Sequence, residues 1–226
     1  MSDTKVATPC AAYSKPEELT NVISHALSAA LSFVGLVFLL LKAQKSDVPT
    51  LGMFAFALFG IVFTTVFVSG AVAHALPRES RSRRAALALD GAAPAVLVFG
   101  FFAVVFLYVL PSGTADDRIW GYTLFSTDAA LTLAAAVMCA AARDRLKTVR
   151  LFLYVASAFL CVVRLERIVA ICGYGFFWFL FGGTGLYAAG LIVGALRAVP
   201  VRELLGRLLV IGGAAVHFIG IYTLLT

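Results

Sequence analysis

RELLGRLLVIGGAAVHFIGIY, residues 202–222, is apolar along almost its whole length, yet it carries Glu203 and Arg207 four residues apart and a lone His217 further on. As a helix rising ~1.5 Å per residue it covers a bilayer core of about 30 Å. Residues four apart meet on one helical face, and Glu before Lys or Arg is the favourable order. A charged pair at the entrance of a membrane helix is costly unless something in the membrane meets it. The stretch therefore predicts both a transmembrane helix and a polar site at one of its ends.

The rest of the chain agrees with the first prediction. Of its 226 residues, 62% are hydrophobic and 13% charged, and mean hydropathy is +0.98, too apolar for a water-soluble fold to bury. Seven spans are predicted, at 20–41, 51–76, 86–110, 119–142, 146–166, 168–196 and 204–226, as a single all-α membrane domain over 18–226 with a cytoplasmic tail over 1–17. The fifth is the shortest: its uncharged core LFLYVASAFLCVV has 13 residues and reaches across only if Arg150 and Arg164 snorkel. The segments KSDVPT, PRESRSRR, PSGTADDR, RDRLKTVR, RLER and RAVPVRE read as the breaks between spans. No second domain, repeat or low-complexity tract is present, and the polar opening MSDTKVATPCAAYSKPEELTN predicts no cleaved signal peptide.

Seven spans divide the 18 Lys and Arg residues unevenly. Lys42, Lys45, Arg118, Arg164 and Arg167 fall on one side and thirteen on the other, which predicts a cytoplasmic N-terminus and an outside C-terminus. The basic charge is thus a matter of topology; it favours anionic lipid over nucleic acid, and the plasma membrane as location. Cys10, Cys139, Cys161 and Cys172 form no CxxC pair, so neither a disulfide framework nor a thiolate metal site is indicated.

Few polar side chains lie at membrane depth. His74 ends span two, Asp90 opens span three, and Glu203 and Arg207 open span seven, which brings all four toward the inner face. An ion-pair network that only fastens helices, and a chemical site, are both open for this quartet. His25 and His217 read as packing or interfacial histidines, and Asp128, two residues after Ser126, as a hydrogen-bond partner for a neighbouring helix. The glycines of GGTG and GG in spans six and seven permit close helix approach, within the bundle or between chains.

The ordered set EELTNVISHALSAALSFVGLVFLLLKA, SGAVAHAL, ALALDGAAPAVLVFGFF, FGGTGLYAAGLIVGAL and VHFIGIY resembles the hemolysin III family, relatives of the adiponectin and progestin receptors, from Glu17 onward. The resemblance implies a zinc site near the cytoplasmic face: one His from the end of span two, two from an HxxxH at the start of span seven, a Ser one turn before the first His, and an Asp early in span three. Three His with an open fourth position suit an activated water, and ceramidase-like amide hydrolysis has been proposed for relatives.

By that resemblance His74 is the span-two ligand and Asp90 the acid, with Gly70 at the Ser position beside Ser69. Gly91 stands where hemolysin III proteins usually have His, and Glu203 and Arg207 stand where the two ligand His belong. Arg has no lone pair for a metal. His74 is then a remnant ligand, and no cofactor is expected. An ion-pair network of His74, Asp90, Glu203 and Arg207, with Arg207 forking onto Asp90, takes the place of the metal. The leading expectation is a receptor-like or lipid-sensing membrane protein with membrane lipids as partners and a possible lipid ligand in the bundle. The alternatives are a metal-dependent lipid amidase using His74, Asp90 or Ser69, a proton-coupled carrier, and membrane permeabilisation.

Overall fold

A computed structural model describes residues 15–77, 79–141, 146–196 and 202–225. All regular structure in them is helical: α1 (Lys15–Lys45), α2 (Thr50–Ala75), α3 (Arg81–Val104), α4 (Ala115–Ala141), α5 (Lys147–Phe159), α6 (Leu165–Cys172), α7 (Phe176–Ala195) and α8 (Arg202–Thr223). A π turn at Val105–Val109 and a 3-10 turn at Leu110–Ser112 prolong α3, and a 3-10 turn at Leu160–Arg164 joins α5 to α6. Eight helices thus make seven rods. Six are long and apolar enough to cross a membrane, namely Glu18–Lys45, Thr50–Ala75, Arg81–Ser112, Ala115–Ala141, Phe176–Ala195 and Leu204–Thr223.

α3 is the central rod. Leu97, Phe101, Phe102 and Phe106 on it are fully covered and pack with Phe56, Phe59 and Phe63 of α2. The outer surface is apolar too: Leu31 and Phe38 of α1, Leu133 of α4, Phe152 of α5 and Trp178 of α7 are all more than half exposed. A lipid-facing belt explains such an inside-and-outside apolar chain.

The fifth rod departs from the expected boundaries. RLER, residues 164–167, is not a break: the chain passes from the 3-10 turn into α6 there, and the true break is Gly173–Gly175, where Gly173 holds a φ of 82° at the α6 C-terminus, a left-handed backbone that suits glycine. Residues 168–172 consequently belong to the fifth rod, and the sixth begins at Phe176. The arginines stay helical because Asp117 receives them. Its fully covered carboxylate accepts from Arg167 Nη2 at 2.7 Å and from Thr114 N and Oγ1 at 2.9 and 2.8 Å, and Arg164 Nη2 donates to the other oxygen at 2.5 Å.

Three polar rungs tie this rod to α4. Arg150 meets Cys139 near the end of α4, Ser157 meets Asp128 in its middle, and Arg164 and Arg167 meet Asp117 at its start. From Asp117 to Cys139 is about 33 Å at ~1.5 Å per residue, so the broken rod runs alongside the full depth of α4. This parity sends α7 and α8 back in the sense that places the start of α8 beside the start of α1. At the other end, Lys42 Nζ donates to the Tyr222 carbonyl at 3.1 Å and Ser46 Oγ to that of Leu225 at 3.2 Å.

α7 and α8 close through glycine, within the bundle. Gly206 and Gly213 of α8 are seven residues apart, as are Gly183 and Gly190 of α7. A Cβ on Gly190 would lie 2.6 Å from the Gly206 carbonyl oxygen, and one on Gly213 would lie 2.7 Å from that of Gly183. Small residues at this repeat let two backbones touch.

Two outcomes test these features by thermal unfolding of purified protein. Gly190→Leu forces the α7–α8 backbones apart and is expected to cost about 1–3 kcal/mol or more, as overpacking does, whereas Gly185→Ala, with open space around its Cβ, loses no stability. Asp117→Asn lowers the unfolding temperature well beyond Asp116→Asn, whose side chain is 64% exposed.

Candidate functional site

The polar residues at the start of α1 form a stripe that the sequence reading passed over. Glu18, Asn21, His25 and Ser28 recur at intervals of three and four, so they share one face, and Asn21, His25 and Ser28 are buried. That spacing inside an apolar span was the available signal. The face turns toward the end of α2, the start of α3 and the start of α8.

α2 brings His74 and the gap left by Gly70. A Cβ at Gly70 would collide with the His25 imidazole, so the ring occupies the room that Gly70 leaves. His25 lies nearly parallel to His74, with centroids 5.9 Å apart and planes at 17°, and its Nε2 is 3.8 Å from Asp90 Oδ1 of α3. Ser69 is buried beside them, but its hydroxyl donates to the Val66 carbonyl at 2.8 Å, a helix-internal bond that does not point it at His74.

α8 brings Arg207, whose Nη1 donates to Asn21 Oδ1. Arginine only donates, so this bond fixes the Asn21 amide with its NH2 on the other side, 3.4 Å from His74 Nδ1. That nitrogen is then the acceptor. The guanidinium, the amide and the imidazole form one relay from α8 through α1 to α2. A second ion pair borders it: buried Arg83 of α3 donates to Glu18 Oε1 at 2.9 Å and to the Leu76 carbonyl at 2.7 Å, so it ties α1 while capping the C-terminus of α2. Its own backbone N donates to the Ser80 side chain at the start of α3.

Three of the four predicted residues, His74, Asp90 and Arg207, therefore come to one end of the bundle and meet there through Asn21 and His25. The side chain of Glu203, the fourth, lies outside the described residues. Asp128 is bonded by Ser157 of α5, as a helix-to-helix partner. His217 is fully covered, with its ring 3.8 Å from that of Phe101 and seated against Gly183, far along α8 from Arg207. Cys139, Cys161 and Cys172 are free thiols, and Cys10 lies outside the described residues.

A zinc shell does not fit these residues. Arg207 is a permanent cation with no lone pair and is held one amide away from His74, and the Nδ1 lone pair of His74 is turned to that amide. Among the described residues no three His, Cys, Asp or Glu side chains gather as a metal-binding group. What the arrangement can do is present a fixed positive charge, an amide and two imidazoles at the end of an apolar bundle. Such a set suits an anionic or hydrogen-bonding head group.

Comparison with known proteins places the chain. Residues 13–218 match the family model described as Haemolysin-III related. The chain is 26% identical over 203 residues to a hemolysin-3 homolog of Bacillus subtilis (strain 168), which covers 89% of this chain and 91% of the relative. It is 24% identical over 203 residues to hemolysin-3 of Bacillus cereus, covering 89% of each. With a family match over most of its length and the helices to cross a bilayer repeatedly, the chain belongs to the Haemolysin-III related family and is a multi-pass integral membrane protein.

Proposed function

We propose that this protein is a receptor-like, lipid-sensing member of its family, in which a fixed cation at Arg207 stands where relatives are expected to hold a metal. The observation that carries the reading is the Arg207–Asn21–His74 relay. A guanidinium binds carboxylate or phosphate oxygens through a planar fork, but it activates no water. The site therefore binds a head group and does not hydrolyse it.

A groove supplies the other half of a lipid site. Between α1, α2 and α8 lies an apolar recess of about 270 Å³, lined by Ser28, Gly35, Phe63, Ile211, Ala215 and Phe218 among others. Ile211, Ala215 and Phe218 follow Arg207 at four, eight and eleven residues, on the same face of α8. Ser28 and Gly35 follow His25 down α1 in the same way. Polar cluster and groove are thus continuous, with a charged head end and an apolar trough that admits an acyl chain. The proposed ligand is an anionic membrane lipid entering from the side.

Orientation belongs to the same reading. The excess of Lys and Arg at the cluster's end of the bundle supports a cytoplasmic N-terminus and an inner-leaflet site, and anionic lipid adds to the attraction there. An epitope tag fused after Thr226 is expected to label from outside intact cells; labelling only after permeabilisation refutes the orientation.

The functional test combines metal, lipid and turnover. Purified protein is expected to hold well under one zinc per chain and to release no fatty acid from ceramide. In nanodiscs, phosphatidylglycerol is expected to raise the unfolding temperature over phosphatidylcholine. Arg207→Gln abolishes that difference, and Ala215→Phe, which fills the groove and leaves the cluster intact, reduces it. One tightly bound zinc per chain, or equal response of wild type and both variants to the two lipids, defeats the proposal.

A further inference from the structure

The middle of the bundle holds a carboxylate that the site at its end does not use. Asp128 lies on the buried stripe of α4 and is fully covered. Its Oδ1 accepts from Ser157 Oγ of α5, while its Oδ2 is buried with no hydrogen-bond partner among the described residues. One turn further along the same stripe, Thr132 is 8% exposed and its hydroxyl is likewise without a partner.

Thr132 departs from the other threonines of its helix. Thr123 and Thr127 turn their hydroxyls onto the carbonyls four residues back, at 2.9 and 2.8 Å, the usual way a membrane helix satisfies such a group. The equivalent carbonyl for Thr132 is that of Asp128, and the hydroxyl does not take it. Two polar groups one turn apart, both facing the protein interior, are thus left wanting a partner midway along α4. Buried polar groups without partners call for an explanation, and a bound ion is one.

Charge sharpens the demand. The charged or titratable groups that face Asp128 along α4 are Asp117 and Cys139 of α4 itself, and Arg150, Tyr154, Cys161 and Arg164 of the fifth rod. α3 presents none between Asp90 and Tyr108. Both arginines are engaged about 16 Å of helix rise away, Arg150 at Cys139 and Arg164 at Asp117. Among the described residues Asp128 makes no ion pair, and a carboxylate in an apolar interior needs a compensating positive charge.

We propose that Asp128, Thr132 and Ser157 form an intramembrane site for one small monovalent cation, Na⁺ or H⁺. A carboxylate and two hydroxyls are hard oxygen donors, and a single negative charge balances one monovalent ion and falls short for a divalent one. Sodium joins Asp128 Oδ2 to the Thr132 hydroxyl directly; a proton makes the acid neutral and turns Oδ2 into a donor. Either ion neutralises the carboxylate that Ser157 of the fifth rod bonds, so occupancy removes the buried charge beside that link and steadies the middle of α4 against the rod. The proposal is independent of the lipid reading, because its residues line neither the end cluster nor the α1–α2–α8 groove.

The test uses the full chain in detergent, with NaCl exchanged for choline chloride at constant ionic strength and neutral pH. A sodium site raises the unfolding temperature by about 3–6 °C at roughly tenfold excess over the dissociation constant. That rise disappears in Asp128→Asn and shrinks in Thr132→Val. A proton site instead shows no preference for sodium, and infrared difference spectra on acidification show a protonated-carboxyl band that is lost in Asp128→Asn and kept in Asp90→Asn. Should Asp128→Asn fail to fold, Thr132→Val carries the comparison, since it leaves the Asp128–Ser157 bond in place and is expected to lower the sodium response or shift the band. No sodium response together with no Asp128 band, or responses that neither variant changes, overturns the proposal.

Discussion

The ion pairs of Asp117 with Arg164 and Arg167 decide the parity of the fold. A short apolar core flanked by arginines has two options at a bilayer: return to the side it came from, or cross with its charges satisfied. Asp117 makes crossing possible because it receives both guanidinia beside the Thr114 donors, at the level where α4 begins. Once the fifth rod crosses, α7 and α8 are both reversed relative to the alternative. Only then does the start of α8 face the start of α1, and only then can Arg207 reach Asn21. The end cluster therefore depends on a bond at the opposite end of the bundle.

Arg207 also needs close approach of its helix. α8 is clamped to α7 by backbones touching at Gly190 and Gly206 and at Gly183 and Gly213. Against α1 it makes few contacts, and the groove opens there. Tight packing on one side and loose packing on the other leave α8 a rigid backing and an open flank. Arg207, bonded to Asn21 on that open flank, stands where the groove begins, the setting that the proposed binding role uses. A buried ion pair meant only for stability would gain nothing from an adjacent cavity, because each lost contact there subtracts from packing.

Legibility in the sequence followed the range of the interactions. Apolar length is a local property, so six spans could be read directly, and the convergence of His74, Asp90 and Arg207 followed from counting spans. RLER misled because two arginines look like a loop when their partner, Asp117, is 47 and 50 residues away. His25 was read as packing because its role depends on Gly70 leaving room for a ring from another helix. The polar stripe Glu18, Asn21, His25 and Ser28 was periodic and hence readable, but its meaning required knowing which helix it faced. GGTG and GG announced a close contact; that it lay within the bundle was a tertiary fact.

In the proposed reading a guanidinium stands in place of a metal, and that changes what such a site can respond to. A metal site is filled and emptied, and its ligands must be deprotonated to hold the ion, so occupancy follows metal supply and pH. Arginine is covalently present and keeps its charge throughout the physiological range. A site built on it has a constant positive potential, and the variable that remains is the anion opposite. Selection among anions then falls to shape: Asn21 fixes the guanidinium's direction, His25 fills the space above Gly70, and the groove limits what can trail behind the head group. Under the proposed lipid-sensing role, signal and specificity move from the ion to the lipid.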